Sequence, residues 1–253
     1  MVGLDLKGKK ALVTGGTRGI GRATALLLAR AGADVGFSWY ARQAEADSLV
    51  RELTDLGVRA FAHQGDVADE TMADQMVERM TVELGGLDIF VANAGIWPPE
   101  HVVITEMTNE QWRRTIAVNL DAVFYQTRAA ARVINNGGRI VLVSSTAGQR
   151  GEAGHSDYAA SKGALISIVK SLAVELGSRD VTVNSVAPGW VDTEMVAGAL
   201  NSTGRANVEG AIPLGRVASA EDIAGPIVFL CTPFARHITG EILNVNGGSV
   251  LCG

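Results

Sequence analysis

Short apolar or β-branched runs alternate with longer stretches of helical periodicity along nearly the whole chain, and this alternation leaves few folds open. The runs fall at residues 10–14, 34–39, 58–63, 87–92, 139–143, 181–187 and 241–245. Between them, apolar positions recur at helical spacing over 19–31, 45–56, 69–84, 109–134, 156–177 and 221–231. Repeated strand–helix units build a parallel sheet covered by helices on both faces. Residues 188–216 carry few regular signals, and no linker, repeat or low-complexity tract interrupts the chain. The expectation is a single α/β domain over 1–253, a doubly wound Rossmann sheet of about seven parallel strands. Ligands in such sheets sit beyond the carboxyl ends of the strands, so chemistry is expected there.

Composition narrows the partners. With 253 residues, 47% hydrophobic and 19% charged, the chain can fill a globular core. Its net charge is −5 and no Lys/Arg cluster stands out, so neither nucleic acid nor an anionic membrane surface is expected as a partner. The first seven residues include Asp5 and no apolar run, and no 18-residue apolar run follows. Neither a signal peptide nor a membrane span is expected, and the cytoplasm is the default location. Cys231 and Cys252 lack metal-ligand spacing and read as buried or tail thiols in a reducing compartment; no metal site is expected.

The first run leads into Thr14-Gly15-Gly16-Thr17-Arg18-Gly19-Ile20-Gly21, with a helical pattern behind it. Strand, glycine turn and helix in that order form a pyrophosphate cradle: backbone approaches closely and the helix N-terminus faces the anion. Gly15, Thr17, Arg18, Gly19, Ile20 and Gly21 are therefore expected at a dinucleotide. An NAD site wants a carboxylate at the end of the second strand, for the ribose hydroxyl. That end reads Ser38-Trp39-Tyr40-Ala41-Arg42, and Asp34 stands at the opposite end. Arg18 and Arg42 suit a 2′-phosphate, with Ser38 adding a hydroxyl, so NADP (NADPH) is expected. Either Arg42 or the backbone near Trp39 would meet the phosphate, and both arginines could equally be solvated charges. Asp66 and Val67 after the third run, and Asn93, Ala94 and Gly95 after the fourth, fall where adenine and ribose would lie.

Tyr158 and Lys162 are four residues apart at the start of a helical pattern, which puts a phenol and an ammonium on one face. A nearby positive charge is expected to lower the phenol's pKa toward neutrality, where it can exchange a proton with a substrate oxygen. Ser145 ends the fifth run and could hydrogen-bond a substrate carbonyl beside the phenol. Asn119 lies inside a helical pattern where its propensity is poor, as a satisfied polar residue or a functional one.

In combination, the loop 14–21, Asn93-Ala94-Gly95, Asn119, Ser145, Tyr158-x-x-x-Lys162, Pro188-Gly189 and the run Asn244 to Gly248 resemble the short-chain dehydrogenase/reductase family. Within it the bacterial 3-oxoacyl-carrier-protein reductases are most similar, and the likeness spans nearly the whole chain. It implies that Tyr158 is the general acid in reduction and the base in oxidation. It further implies that Lys162 holds the nicotinamide ribose and lowers the Tyr158 pKa, that Ser145 orients the substrate oxygen, and that Asn119 places a water beside Lys162. Pro188, Gly189, Val191 and Thr193 would face the nicotinamide carboxamide. The helices around 112–134 and after Tyr158 would pair between subunits in a homotetramer.

Trp97, Gln149, His155, Trp190 and Met195 are expected to wall the substrate pocket, with 188–216 as a lid. Two tryptophans and a methionine suggest an apolar ketone or its alcohol. The expected activity is an NADP-dependent carbonyl reductase on a small molecule, with a 3-oxoacyl-carrier-protein reductase or an NAD-dependent alcohol dehydrogenase as alternatives. A sugar-nucleotide epimerase lacks its second domain here. A non-enzymatic nucleotide sensor would be expected to lose Tyr158 or Lys162, and both are present.

Overall fold

The computed structural model describes residues 4–251. Seven strands are present among them: β1 (Lys10–Val13), β2 (Asp34–Trp39), β3 (Ala60–Gln64), β4 (Ile89–Ala92), β5 (Arg139–Val143), β6 (Thr182–Pro188) and β7 (Ile242–Val245). They pair all-parallel in the order β3-β2-β1-β4-β5-β6-β7, which bears out the doubly wound sheet expected from the alternation. Successive side chains on a strand face opposite ways, and the core divides accordingly. Ala11, Val13, Ile89, Val91, Val141 and Val143 enter one apolar layer; Leu12, Phe90, Ala92, Ile140 and Leu142 enter the other. With both faces covered, the central strands need no polar alternation.

The helices are α1 (Gly19–Arg30), α2 (Gln43–Asp55), α3 (Glu70–Leu84), α4 (Asn109–Ile116), α5 (Ala122–Val133), α6 (Thr146–Arg150), α7 (Ser156–Leu176), α8 (Ala197–Thr203), α9 (Arg205–Gly210) and α10 (Ala220–Leu230). Local chemistry sets several ends. Asp69 accepts from the Thr71 N–H and Thr108 from the Gln111 N–H, capping α3 and α4. Ser219 and Asp222 form a reciprocal capping box on α10.

Three differences from the sequence expectation stand out. The helix expected over 109–134 is divided by a π segment, Ala117–Asp121. A short helix, α6, follows β5 where none was expected, and 188–216 contains α8 and α9. Cys231 is buried, and burial pushes its thiol up to about 12, which leaves it protonated and unreactive. Cys252 lies outside the described residues. No helix among the described residues is long and apolar enough to cross a membrane.

Because β2 and β3 extend the sheet on one side of β1 and β5 to β7 extend it beyond β4, the winding reverses between β1 and β4. The loops at those two carboxyl ends diverge and leave a crevice.

Candidate active site

A cleft of about 700 Å3 opens at that reversal, within the range of a cofactor pocket. One wall is the turn from β1 into α1. Gly15 takes φ 70°, a left-handed conformation suited to glycine. Gly21 has room for no Cβ, because the Gly15 carbonyl and the Asn93 amide stand where one would be. Thr14 and Asn93 tie this turn to the end of β4. The Thr14 hydroxyl accepts from the N–H groups of Asn93 (3.1 Å) and Ala94 (3.0 Å), and Asn93 Nδ2 donates to the Thr14 carbonyl at 2.9 Å. The cradle is thus fixed by the protein itself, with Thr17, Arg18, Gly19 and Ile20 on the cleft wall. Such a preformed turn before a helix N-terminus fits a dinucleotide pyrophosphate.

Ser38, Trp39, Tyr40, Ala41 and Arg42 at the end of β2 line the same cleft, followed by Asp66 and Val67 after β3. Ser38 is fully buried and its hydroxyl accepts from the Gly15 N–H at 3.2 Å, so it supports the glycine turn. Asp34 binds Arg59 at the far end of the strand. Arg18 and Arg42 converge, and between them stands Glu194. Its Oε2 lies 2.9 Å from Arg18 Nη1 and 2.7 Å from Arg42 Nη2.

The other end of the cleft holds the polar cluster. Ser145 caps α6, its Oγ accepting from the Ala147 N–H at 3.1 Å. α6 and α7 pack against each other, with the backbones of Gly148 and Gly163 in close contact. This brings the Ser145 hydroxyl near enough to the Tyr158 phenol to lower its pKa. Lys162, one turn along α7, is buried; its Nζ donates to the Val143 carbonyl at 2.8 Å and stands 6.0 Å from the Tyr158 ring centroid. Asn119 is fully buried in the π segment. It brackets the Ile96 peptide, Nδ2 donating to the carbonyl and Oδ1 accepting from the N–H, both at 2.8 Å. Gly95 lies against Asn119 Oδ1 and Lys162 Nζ, with little space for a side chain. Asn119 is the buried residue of this π segment, and such segments recur at functional sites.

The electrostatics differ from the sequence expectation. The Tyr158 pKa is not lowered: desolvation by the surrounding protein pushes it up to about 12, against a smaller lowering by Ser145, and Glu152 adds to the rise. The residue is half-buried and lines the open cleft. Burial also pushes Lys162 down to about 8. The ammonium donates to the Val143 carbonyl, and no contribution from Lys162 enters the Tyr158 shift.

Pro188 at the end of β6, with Gly189, Val191, Thr193 and Met195 beyond it, forms the facing wall, and Thr193 packs on Gly19 across the opening. The remaining expected pocket residues stand apart from these. Trp97 stacks on His155 (centroids 4.7 Å) and meets Trp190 edge-on (6.4 Å), making an aromatic group beside the cleft. Gln149 is turned to Asn244, its Nε2 donating at 2.7 Å. Sequence reasoning missed Glu194 and Arg114, both on the cleft wall. The signal for Glu194 was a lone acid inside a stretch otherwise expected at the cofactor.

The model of a family described as Enoyl-(Acyl carrier protein) reductase matches residues 15–249. A 3-oxoacyl-[acyl-carrier-protein] reductase from Synechocystis is 39% identical, over 97% of this chain and 98% of its own. Among solved structures, a short-chain dehydrogenase from Burkholderia cenocepacia in complex with NADP superposes with TM-score 0.90 at 40% identity, covering 96% of this chain and 98% of that one. A blue fluorescent protein from a metagenomic library, in complex with NADPH, does so with TM-score 0.92 at 39% identity, covering 98% of this chain and 100% of that one.

Proposed function

The chain belongs to the short-chain dehydrogenase/reductase family of oxidoreductases, and we propose that it reduces a carbonyl with NADPH, the carbonyl being that of a 3-oxoacyl thioester. The observation that carries the reaction class is the Ser145–Tyr158 pair at the floor of the cleft, with Lys162 behind it.

The bound cofactor would supply the hydride. The chain supplies geometry and a proton. A phenol near 12 is fully protonated at neutral pH, so Tyr158 stands ready as the acid for a developing alkoxide. Ser145 holds the same oxygen from the side, which orients the carbonyl carbon toward the Pro188–Gly189 wall. Lys162, charged below about 8, would hold the ribose hydroxyls and offset the phenolate left after proton transfer. Asn119 fixes the Gly95–Ile96 backbone against Lys162 and would seat the relay water. Arg18 and Arg42 would take the 2′-phosphate, a reading supported by the nucleotides in the two solved neighbours. An NADH preference unchanged by Arg42→Ala would overturn it.

The similarity to a 3-oxoacyl reductase shifts weight from the free small ketone suggested by the tryptophans toward the thioester. The ketone remains a second reading because Trp97, His155 and Trp190 build an aromatic wall beside the cleft. The family description names an enoyl reduction, so the deciding assay follows NADPH absorbance with 3-oxoacyl thioesters, enoyl thioesters and unconjugated aryl ketones. Turnover of the 3-oxoacyl thioesters far above the other two supports the proposal; preference for either of the others replaces it. A cytoplasmic homotetramer with 188–216 as a substrate lid belongs to the same proposal.

A further inference from the structure

Glu194 contributes nothing to the reaction derived above, yet it occupies the point where the two cofactor-directed arginines meet. Arg18 comes from the β1–α1 turn, Arg42 from the end of β2, and Glu194 from the opposite wall after β6. One carboxylate oxygen receives both guanidiniums, at 2.9 and 2.7 Å, and Oε1 adds a longer contact of 3.5 Å to Arg42. Arg42 also reaches Glu45 at 3.2 Å, so the pairing at this corner is acidic on two sides. The hydrogen bond from Arg18 keeps Glu194 below the ordinary carboxylate pKa, hence ionised at neutral pH. The neighbouring Asp192 is held by Arg205 of α9 at 2.7 Å, and Thr193 rests on Gly19. The backbone leading into Glu194 is therefore held at the two preceding positions.

We propose that Glu194 is an internal competitor for the cofactor's 2′-phosphate and thereby sets how strongly the enzyme prefers NADPH over NADH. The proposal rests on the NADP reading. A carboxylate clamped between the two arginines is a weaker ligand of the same sign as a phosphate monoester, which carries nearly two charges at neutral pH. NADPH must exchange those pairs and then tolerate the released carboxylate nearby. NADH has no group to exchange and leaves the bridge in place. Glu194 thus narrows a preference that the two arginines alone would make wide.

The test is equilibrium binding of NADPH and NADH, by the fluorescence of the bound dihydronicotinamide, to the parent, Glu194→Gln, Arg42→Ala and the double variant. Exposed ion pairs are individually weak, so Glu194→Gln is expected to tighten NADPH by about three- to tenfold and to leave NADH within about twofold. In the Arg42→Ala background the same change should gain clearly less, because the partner whose release it eases is gone. If the parent prefers NADPH and loses that preference with Arg42→Ala, while Glu194→Gln leaves NADPH binding unchanged or weaker, Glu194 pre-organises the arginines and the proposal is overturned alone. If the parent prefers NADH and Arg42→Ala changes nothing, the NADP reading falls and takes the proposal with it.

Discussion

Tyr158 and Lys162 show what residue spacing conveys and what it leaves out. Their i, i+4 relation is visible in the sequence, as are Ser145 at a strand end and Asn119 in a helical pattern. The sign of the Tyr158 shift is not, because desolvation depends on what covers a group and on where a neighbouring charge points. Lys162 points to Val143, and the phenol stays near 12 while the ammonium falls to about 8. Glu194 was equally out of reach: its bond to Arg18 joins positions 176 apart. The shifts fix a pH profile. At neutral pH both groups keep their protons. As pH rises, Lys162 is the first to lose one, around 8, and Tyr158 follows only near 12. The rate of NADPH-dependent reduction is expected to be level from about pH 6 to about 7.5 and to decline above about 8. A rate that stays level to about pH 9.5 would remove Lys162's charge from the account.

At the scale of elements, periodicity located every strand and every long helix, with ends displaced by at most two residues. It could not see the π segment, since one extra residue in a turn leaves the apolar pattern on either side almost intact. That single turn holds Asn119, buried beside the cleft. Nor could it resolve α6, α8 and α9, whose five to seven residues are too short for a period to emerge. Capping was readable only in part; the box on α10 involves Asp222, which also binds Arg216. Those partners hold the Asp222 carboxyl well below its ordinary value. Its contribution is therefore present above the ordinary carboxylate pKa of ~4 and is lost as pH falls toward the depressed one. Asp222→Ala is expected to cost about 1 kcal/mol at pH 7, a fall of about 2–4 °C in Tm by calorimetry, with the deficit narrowing below about pH 4. An unchanged Tm at pH 7 would show that the box contributes nothing.

For the molecule as a whole, the order β3-β2-β1-β4-β5-β6-β7 puts the winding reversal, the glycine turn and the catalytic cluster at one crevice. The sequence implied this because the glycine turn, Asn93-Ala94-Gly95 and Ser145 each follow a strand. The surface speaks to assembly: Trp112 on α4, Phe124 on α5 and Val174 on α7 are 38%, 47% and 83% exposed. Their exposure supports pairing of these helices between subunits. Light scattering is expected to give four times the 26.5 kDa chain mass, reduced by Val174→Glu; a monomer at micromolar concentration would contradict the tetramer. The central claim concerns one hydroxyl. Tyr158→Phe should bind NADPH within about twofold of the parent and reduce the 3-oxoacyl thioester about 10²- to 10⁴-fold more slowly. If the variant binds NADPH and oxidises it with that substrate at the parent's rate, the proton comes from elsewhere and the mechanism is wrong.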